Sequence, residues 1–241
     1  MIVIPDEFNS RRKDLNRICK YCGHYNTSPA WCQSCDPWRE TQWTSENEVI
    51  DNFSKELQFK TTEYEKVIEW IPFDKLIKLQ KIREEELETI FMATWQDGIR
   101  IIKGELLEYK QSRISSYGVN LKGFQTCDLF MKELKNYILK EENVVYGITH
   151  NTETNQYMIV IPDEFNSRRN DLNGICKYCG HRNTSPAWCQ SCDPWKATQE
   201  WTSGNEGVNK LIKEFQFKAT EYEKVIEWIP FDKLINLQEI K

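Results

Sequence analysis

The sequence predicts an α+β protein in which two small cysteine-rich modules, each followed by a helix, flank one segment of strand-like character. The first observation behind this prediction is an internal repeat: residues 1–82 return as residues 158–240, with one extra residue near Glu200. The second is that each copy contains two Cys-x-x-Cys pairs and then an apolar pattern of helical period. The third is that residues 83–157 occur once and contain alternating, strand-like segments. Because the period exceeds the roughly 20–50 residues of stacked repeats, it predicts semi-independent modules.

Composition narrows the protein class. The 241 residues are 39% hydrophobic and 29% charged, with a mean hydropathy of -0.67, which is typical of a soluble chain with small cores and excludes a collagen-like or wholly disordered protein. No apolar run approaches the ~18 residues of a membrane span, and acidic residues near the start interrupt any signal peptide. We therefore expect an intracellular, cytoplasmic protein without a membrane partner.

Eight of the nine cysteines form two quartets with the same spacing. Without a secretory signal, this spacing favours metal coordination, with disulfides or free thiols as the alternatives. Two Cys-x-x-Cys turns supply four thiolates, which complete a tetrahedral zinc shell at about 2.3 Å and leave no position for a reactive water. We therefore predict two structural zinc ions per chain. The expected ligands are Cys19, Cys22, Cys32 and Cys35 in the first copy, and Cys176, Cys179, Cys189 and Cys192 in the second.

Three further residues near this chemistry receive a structural interpretation. His24 and His181 each follow a Cys-x-x-Cys-Gly turn and could replace one thiolate, but four cysteines already complete the shell. We expect both histidines to face solvent or to lie beside the ligands. Cys127 belongs to neither quartet and is interpreted as a small, half-buried side chain.

Nucleic-acid binding is the least favoured function for the modules. Single-stranded RNA would need basic residues and stacking rings, for which the first copy offers Tyr21, Trp31 and Trp38. However, residues 1–45 contain six basic and five acidic side chains, and the matching residues 158–203 contain five of each. The net charge of -5 points the same way, so the tryptophans are better explained as the core of each module.

Each module is predicted to continue into a capped helix. Ser45 and Glu48 have the spacing of a capping box, and the pattern that follows indicates a helix to about Tyr64. The second copy repeats this pattern from Ser203, and Pro72 should interrupt any longer helix. The apolar residues at four-residue spacing are Val49, Phe53 and Leu57.

The set of motifs resembles the protein kinase family proteins of mycorrhizal fungi. The motifs are ICKYCG, WCQSC and VIEWIPFDKL in the first copy and WTSGN in the second. In that family these segments precede a kinase domain, so the resemblance implies a zinc module with a helix over 1–72 and a partial, degenerate kinase small lobe over 73–162. It also implies a second zinc module with a helix over 163–241, ending in the truncated start of a further lobe.

For the lobe, the resemblance implies a five-stranded antiparallel sheet and one helix. On this mapping Lys122 takes the place of the lysine that holds the α- and β-phosphates, and Glu133 takes the place of its partner on the helix. The alternative interpretation is a surface lysine and a glutamate on an amphipathic helix. The expected strands are 76–82, 90–95, 119–122, 144–149 and 157–161, with the helix at 128–138.

The departures from the family pattern argue against catalysis. Residues 83–88 read REEELE where the family has a glycine-rich loop, so the glycine positions carry long charged residues and glutamates 84, 85, 86 and 88 would repel a triphosphate. The catalytic tripeptide His-Arg-Asp and the magnesium-binding Asp-Phe-Gly do not occur in the sequence, and the large lobe is missing. We therefore expect weak or absent ATP binding and no phosphoryl transfer by this polypeptide.

These observations together predict a pseudokinase-like, zinc-binding interaction protein of intracellular signalling. Its expected partners are proteins, with intact kinases of the same family as one candidate. One alternative is a fragment of an active ATP-dependent serine/threonine or tyrosine-kinase-like enzyme whose large lobe lies outside this sequence. The other is an RNA-binding zinc knuckle protein.

Overall fold

The computed structural model describes residues 8–84, 86–104, 108–140, 143–199 and 201–235. They divide into two compact units: residues 1–79 and 84–162 contribute to the first, and residues 80–83 and 163–241 to the second. The first cysteine module and the sheet therefore share a unit. Glu85 of the acidic segment, and the final residues where a further lobe was expected to begin, lie outside the described residues.

Helices and strands are both present, so the prediction of an α+β protein is confirmed. Among the described residues the helices are α1 (Asp36–Glu40), α2 (Glu48–Lys60), α3 (Cys127–Leu139), α4 (Asp193–Ala197) and α5 (Glu206–Lys218). The strands are β1 (Glu69–Trp70), β2 (Leu76–Glu84), β3 (Glu88–Trp95), β4 (Ile99–Lys103), β5 (Lys110–Ile114), β6 (Tyr117–Phe124), β7 (Gly147–Asn151) and β8 (Gln156–Pro162). Each helix in the described ranges is too short or too polar to cross a bilayer.

The main sheet contains six strands in the order β1-β7-β8-β6-β3-β2. The pairs β3–β6, β6–β8 and β7–β8 are antiparallel, whereas β1 runs parallel to β7. The five expected strands and the helix α3 occur in the expected order along the chain. The sheet nevertheless has one strand more than the five that were expected, because the first module contributes β1.

Strand β1 joins the sheet because β7 offers an edge with unpaired backbone groups. Glu69 N–H donates to the Tyr146 carbonyl at 3.0 Å, and Ile71 N–H donates to the Ile148 carbonyl at 2.8 Å. Gly147 makes this approach possible, since a Cβ at that position would lie 2.4 Å from the Glu69 carbonyl oxygen. The first module is thus hydrogen-bonded directly to the sheet.

The sheet is buried on both faces, because its central strand β8 alternates between two apolar clusters. Ile159 and Ile161 pack with Phe130 and Leu134 of α3, and Ile50 of α2 joins the same cluster. On the opposite face, the members of the second cluster include Ile71, Leu76, Trp95, Val119, Met158 and Val160. Both α2 and the segment that follows it therefore cover the sheet.

The hairpin formed by β4 and β5 was not anticipated from the sequence. These strands pair only with each other, in register from Ile99 with Ile114 to Lys103 with Lys110. Ile102 packs against a small cluster that contains Trp31 and Tyr64 of the first module. The hairpin is stabilised by this tertiary contact, which strand periodicity does not reveal.

The capping prediction for α2 is wrong in its residues. Asn47, not Ser45, caps the helix, because its side-chain oxygen accepts from the N–H groups of Val49 and Ile50. Ser45 instead donates its hydroxyl to Asp51 at 2.5 Å. The buried face is also rotated by one residue, with Ile50 fully buried and Val49 64% exposed.

Candidate metal centres

Tight turns place the cysteines of each module. In the first module, Gly23 N–H donates to the Cys19 carbonyl at 2.9 Å, and Gly23 has a φ of 74°, which suits glycine. The second Cys-x-x-Cys turn closes when Asp36 N–H donates to the Cys32 carbonyl at 2.9 Å. The second module builds the same turns, with Gly180 donating to Cys176 at 3.0 Å.

Each quartet brings four sulfur atoms together. Within each group the sulfurs all lie within 4.8 Å of one another, and the Cys22–Cys32 and Cys179–Cys189 Sγ–Sγ distances are both 3.8 Å. A tetrahedron with metal–sulfur bonds of about 2.3 Å has edges of about 3.8 Å. All nine cysteines are free thiols, since a disulfide would require a sulfur–sulfur distance of about 2.05 Å. Each group could therefore hold one metal ion.

The pKa values of the thiols are split within each centre, because the crowded sulfurs interact with one another. Burial alone would raise the pKa of Cys22, but hydrogen bonds from the backbone and side chain of His24 and from neighbouring thiols lower it to about 6. Burial, and the neighbouring thiols as well, raise the pKa of Cys35. In the second module the pKa of Cys189 is lowered by hydrogen bonds from the other thiols, whereas that of Cys192 is raised. Four crowded sulfurs cannot all ionise unless a cation balances them.

Two residue types beside the sulfurs were missed in the sequence. Arg12 Nη1 lies 3.7 Å from Cys32 Sγ and donates to the Tyr25 carbonyl at 2.6 Å. In the second module Arg169 lies 3.7 Å from Cys189 Sγ. Their placement between the two turns of each module brings positive charge to the thiolates. The signal that could have found them is the Arg-Arg pair, which recurs in both copies.

An aspartate, buried in the first module and half-buried in the second, orients the second turn of each module. Asp36 Oδ2 accepts the Cys32 N–H at 2.7 Å, and Asp193 does the same for Cys189 at 2.6 Å. Burial raises the pKa of Asp36, and the Cys32 N–H opposes that rise. The aspartate that directly follows the last cysteine in both copies was the available sequence signal.

Neither histidine joins a sulfur group among the described residues. His24 is exposed at the first centre, and His181 is half-buried, with a pKa lowered by burial and by the charge of Arg169. Cys127 is half-buried as expected, and its Sγ lies 3.8 Å from Asn47 Nδ2. Burial raises the pKa of its thiol.

One tryptophan of each module lies in its core, Trp31 in the first and Trp188 in the second, whereas Trp38 is 65% exposed, so the expectation of a core role is wrong for Trp38. Trp31 is fully buried, and its indole N–H donates to the Thr61 carbonyl at 3.2 Å. Trp188 is 3% exposed in the second module. Ser28 Oγ donates to the Thr62 carbonyl at 3.0 Å, so the residues just after α2 are hydrogen-bonded to the loop between the two Cys-x-x-Cys turns.

Lys122 and Glu133 lie in the unit that contains the sheet. Lys122 on β6 has its Nζ 3.3 Å from both carboxylate oxygens of Glu88 on β3, and lies 5.4 Å from the ring centroid of Tyr137. Glu133 on α3 accepts from Asn136 Nδ2 at 3.4 Å. Within the described part of the chain, Lys122 therefore pairs with Glu88 and makes no ion pair with Glu133.

No protein-family model, curated protein or solved structure matches this chain.

Proposed function

We propose that the chain is a kinase-derived, non-catalytic interaction protein whose two modules are each held together by a structural zinc ion. The observation that carries the proposal is the pairing of Lys122 with Glu88, the last residue of the acidic segment 83–88. This pairing gives the lysine a protein carboxylate as its partner in place of nucleotide phosphates. The proposal assigns protein partners and a role in intracellular signalling.

Zinc fits the donor set of each centre. Four sulfurs within 4.8 Å of one another, with one pair in each centre 3.8 Å apart, suit zinc, which prefers soft ligands and tetrahedral geometry. Arg12 and Asp36 support the first centre by positioning its backbone and balancing its charge. A bound zinc ion would supply folding free energy to a segment that has few other buried apolar residues.

The electrostatics around Lys122 support a non-catalytic role. A triphosphate that approached Lys122 would have to displace Glu88, and two unit charges about 4 Å apart interact by about 4 kcal/mol at an effective dielectric of 20. Glu84 and Glu86 flank the same connection between β2 and β3 and add further repulsion. Glycine would let the backbone approach phosphates there, but the chain has long charged side chains.

The order of elements supports a kinase-derived lobe. Strands β2, β3 and β6, then α3, then β7 and β8 follow one another as the resemblance implies, with the hairpin β4–β5 inserted between β3 and β6. The surfaces that such a lobe buries are here covered partly by α2 and by the segment after it, through Ile50 and Ile71. A module that packs on the lobe in this way suits a scaffold for protein contacts.

The test combines metal analysis with nucleotide-dependent melting. Native mass spectrometry of the full chain should find two zinc ions, and 1 mM Mg-ATP should leave the melting temperature unchanged. A Kd of about 10 μM would give about 2.7 kcal/mol at this concentration. That free energy would raise the melting temperature by about 5–10 °C. Such a rise would overturn the non-catalytic assignment, and a metal-free native protein would overturn the zinc assignment.

The Glu88→Gln variant is the matched control. It frees Lys122 without changing the sheet, so a rise in melting temperature with Mg-ATP only in this variant would identify Glu88 as the group that blocks nucleotide. If neither protein responds, the long side chains of residues 83–88 suffice to exclude nucleotide. A response in the natural sequence alone would contradict the proposal.

A further inference from the structure

The second module repeats the apolar surface of the first but leaves it exposed. The residues of VIEWIPFDKL are identical in the two copies. An exposed apolar patch of this kind marks an interaction site in a soluble chain. Three identical pairs show the difference: Tyr64 is 7% exposed and Tyr222 67%, Ile71 1% and Ile229 54%, and Leu76 5% and Leu234 42%.

The first copy shows what covers this surface. Ile71 and Leu76 are buried in the apolar cluster on one face of the sheet, and Ile50 of α2 is buried in the cluster on the other. The backbone between them pairs with the free edge of β7 through Glu69 and Ile71. In the first copy, the apolar side chains and the backbone of this segment therefore each have a defined contact on the sheet.

A charged contact adds specificity to the docking in the first copy. The carboxylate of Glu69 accepts from Arg100 Nε and from Arg113 Nη2, both at 2.5 Å. The second copy retains this acid as Glu227 and has Ala197 in place of Glu40, which also binds Arg100. A partner for the second copy needs an arginine for Glu227, and that arginine would meet one carboxylate of the module instead of two.

We infer that residues 222–234 of the second module are a docking surface for a lobe built like residues 76–162 and carried by a partner protein. The inference rests on the proposed function, since it names the class of partner that the interaction protein binds. The partner surface must have an edge strand with free backbone groups, apolar residues on both sides of it and a nearby arginine. These are the chemical features that bury the identical residues of the first copy.

A second copy of this chain is a poor occupant by comparison. Its lobe already holds its own first module, so an incoming second module would exchange one set of contacts for an equal set. That exchange exposes the displaced module and adds the entropic cost of association. A partner lobe that has no module of its own on this face would instead form all of these contacts with the second module without breaking any.

The chain's own lobe can serve as the probe once its first module is weakened. Ile71→Asp places a carboxylate in the sheet cluster and should release the first module, after which the second module can take its place. The Ile71→Asp/Ile229→Asp double variant prevents both the first and the second module from docking on the lobe. We expect its first-unit melting temperature to fall at least twice as far as in the single variant. Ile229→Asp alone should shift melting by no more than about 2 °C, as for an exposed position.

A control and a milder series keep the experiment decisive. Leu172 is 92% exposed in the second module and outside residues 222–234, so Ile71→Asp/Leu172→Asp should melt like Ile71→Asp alone. If Ile71→Asp unfolds the unit, Ile71→Ala and Ile71→Ala/Ile229→Ala replace it, since truncation leaves a cavity without a buried charge.

Two results separate this inference from the proposed function. Equal losses in the single and double variants of both series would overturn the docking surface, because non-additivity is the signature of the shared lobe. The zinc content and the response to Mg-ATP would be unaffected by that result. Conversely, nucleotide binding would overturn the proposed function and leave the comparison of the variants valid.

Discussion

Arg100 is the residue on which the contact between the β4–β5 hairpin and the first module most depends. Its side chain is 6% exposed and binds Glu40 and Glu69, each at 2.5 Å, and its guanidinium lies 4.7 Å from the ring centroid of Tyr64. Burial would lower the pKa of Arg100, but the charge of Glu69 and hydrogen bonds to both carboxylates raise it above its ordinary value. We therefore predict that Arg100→Met strongly destabilises the first unit.

The magnitude follows from what the substitution leaves behind. Removal of one member of a buried charge cluster costs about 3–5 kcal/mol, because the remaining charges stay buried without a partner. Arg113 is the matched control, since its side chain is 29% exposed and Glu69 retains Arg100 when it is removed. Arg113→Met should cost about 1 kcal/mol or less, because Arg113 is partly exposed and Glu69 keeps a charged partner.

Hydrogen exchange of the core strands measures this difference within one unit. Backbone amides of β6 and β8 report the free energy of opening of the sheet, whereas amides of the second module provide an internal reference. Arg100→Met/Glu40→Gln should recover part of the loss, because the added change removes one orphaned carboxylate. A loss below about 1 kcal/mol for Arg100→Met, or one no larger than that of Arg113→Met, would refute the reasoning.

Three further predictions concern the modules. Arg17→Gly and Glu46→Gly should each stabilise the first unit by about 1 kcal/mol or more in the same exchange measurement. The reason is that these residues have φ values of 66° and 64°, and the second copy already has glycine at both sites. A loss of stability in either variant would contradict this prediction. Cys32→Ser should lower the zinc content from two to one in native mass spectrometry, whereas Cys127→Ser should leave two, and an unchanged content in Cys32→Ser would count against its ligand role. Although burial would raise the pKa of Asp51, hydrogen bonds from two hydroxyls and a backbone N–H lower it below the ordinary 3.8. The stabilisation by ionised Asp51 is therefore present above about pH 4 and is lost as the pH falls through the pKa of Asp51 in the folded protein. Asp51→Asn should make the stability depend less on pH in that range. An unchanged acid-unfolding profile would contradict this prediction.

Local sequence patterns predict the cysteine turns of this protein well and the cap of α2 poorly. The Cys-x-x-Cys spacing correctly grouped the sulfurs, since each turn is set by residues a few positions apart. In α2, Asn47 caps the helix instead of the predicted Ser45. Both residue types are good caps, and the choice between them depends on Asp51, whose carboxylate accepts a hydrogen bond from the Ser45 hydroxyl. A capping pattern alone does not include that competition.

The hairpin and the added strand required the tertiary structure. Strand β1 has only two residues and is stabilised by the edge of β7, which lies far away in sequence. Arg12 and Asp36 beside the sulfurs were missed for the same reason, because their role depends on contacts that the turns create after they form.

The sequence by itself determined the repeated modules and their eight clustered thiols, because these depend on residue type and short-range spacing. Only the tertiary structure decided that Lys122 pairs with Glu88, and that identical residues are buried in one copy and exposed in the other. The physical reason is that burial depends on the surface a segment packs against. The same ten residues, from Val67 to Leu76 and from Val225 to Leu234, contact the sheet in the first copy and remain largely exposed in the second.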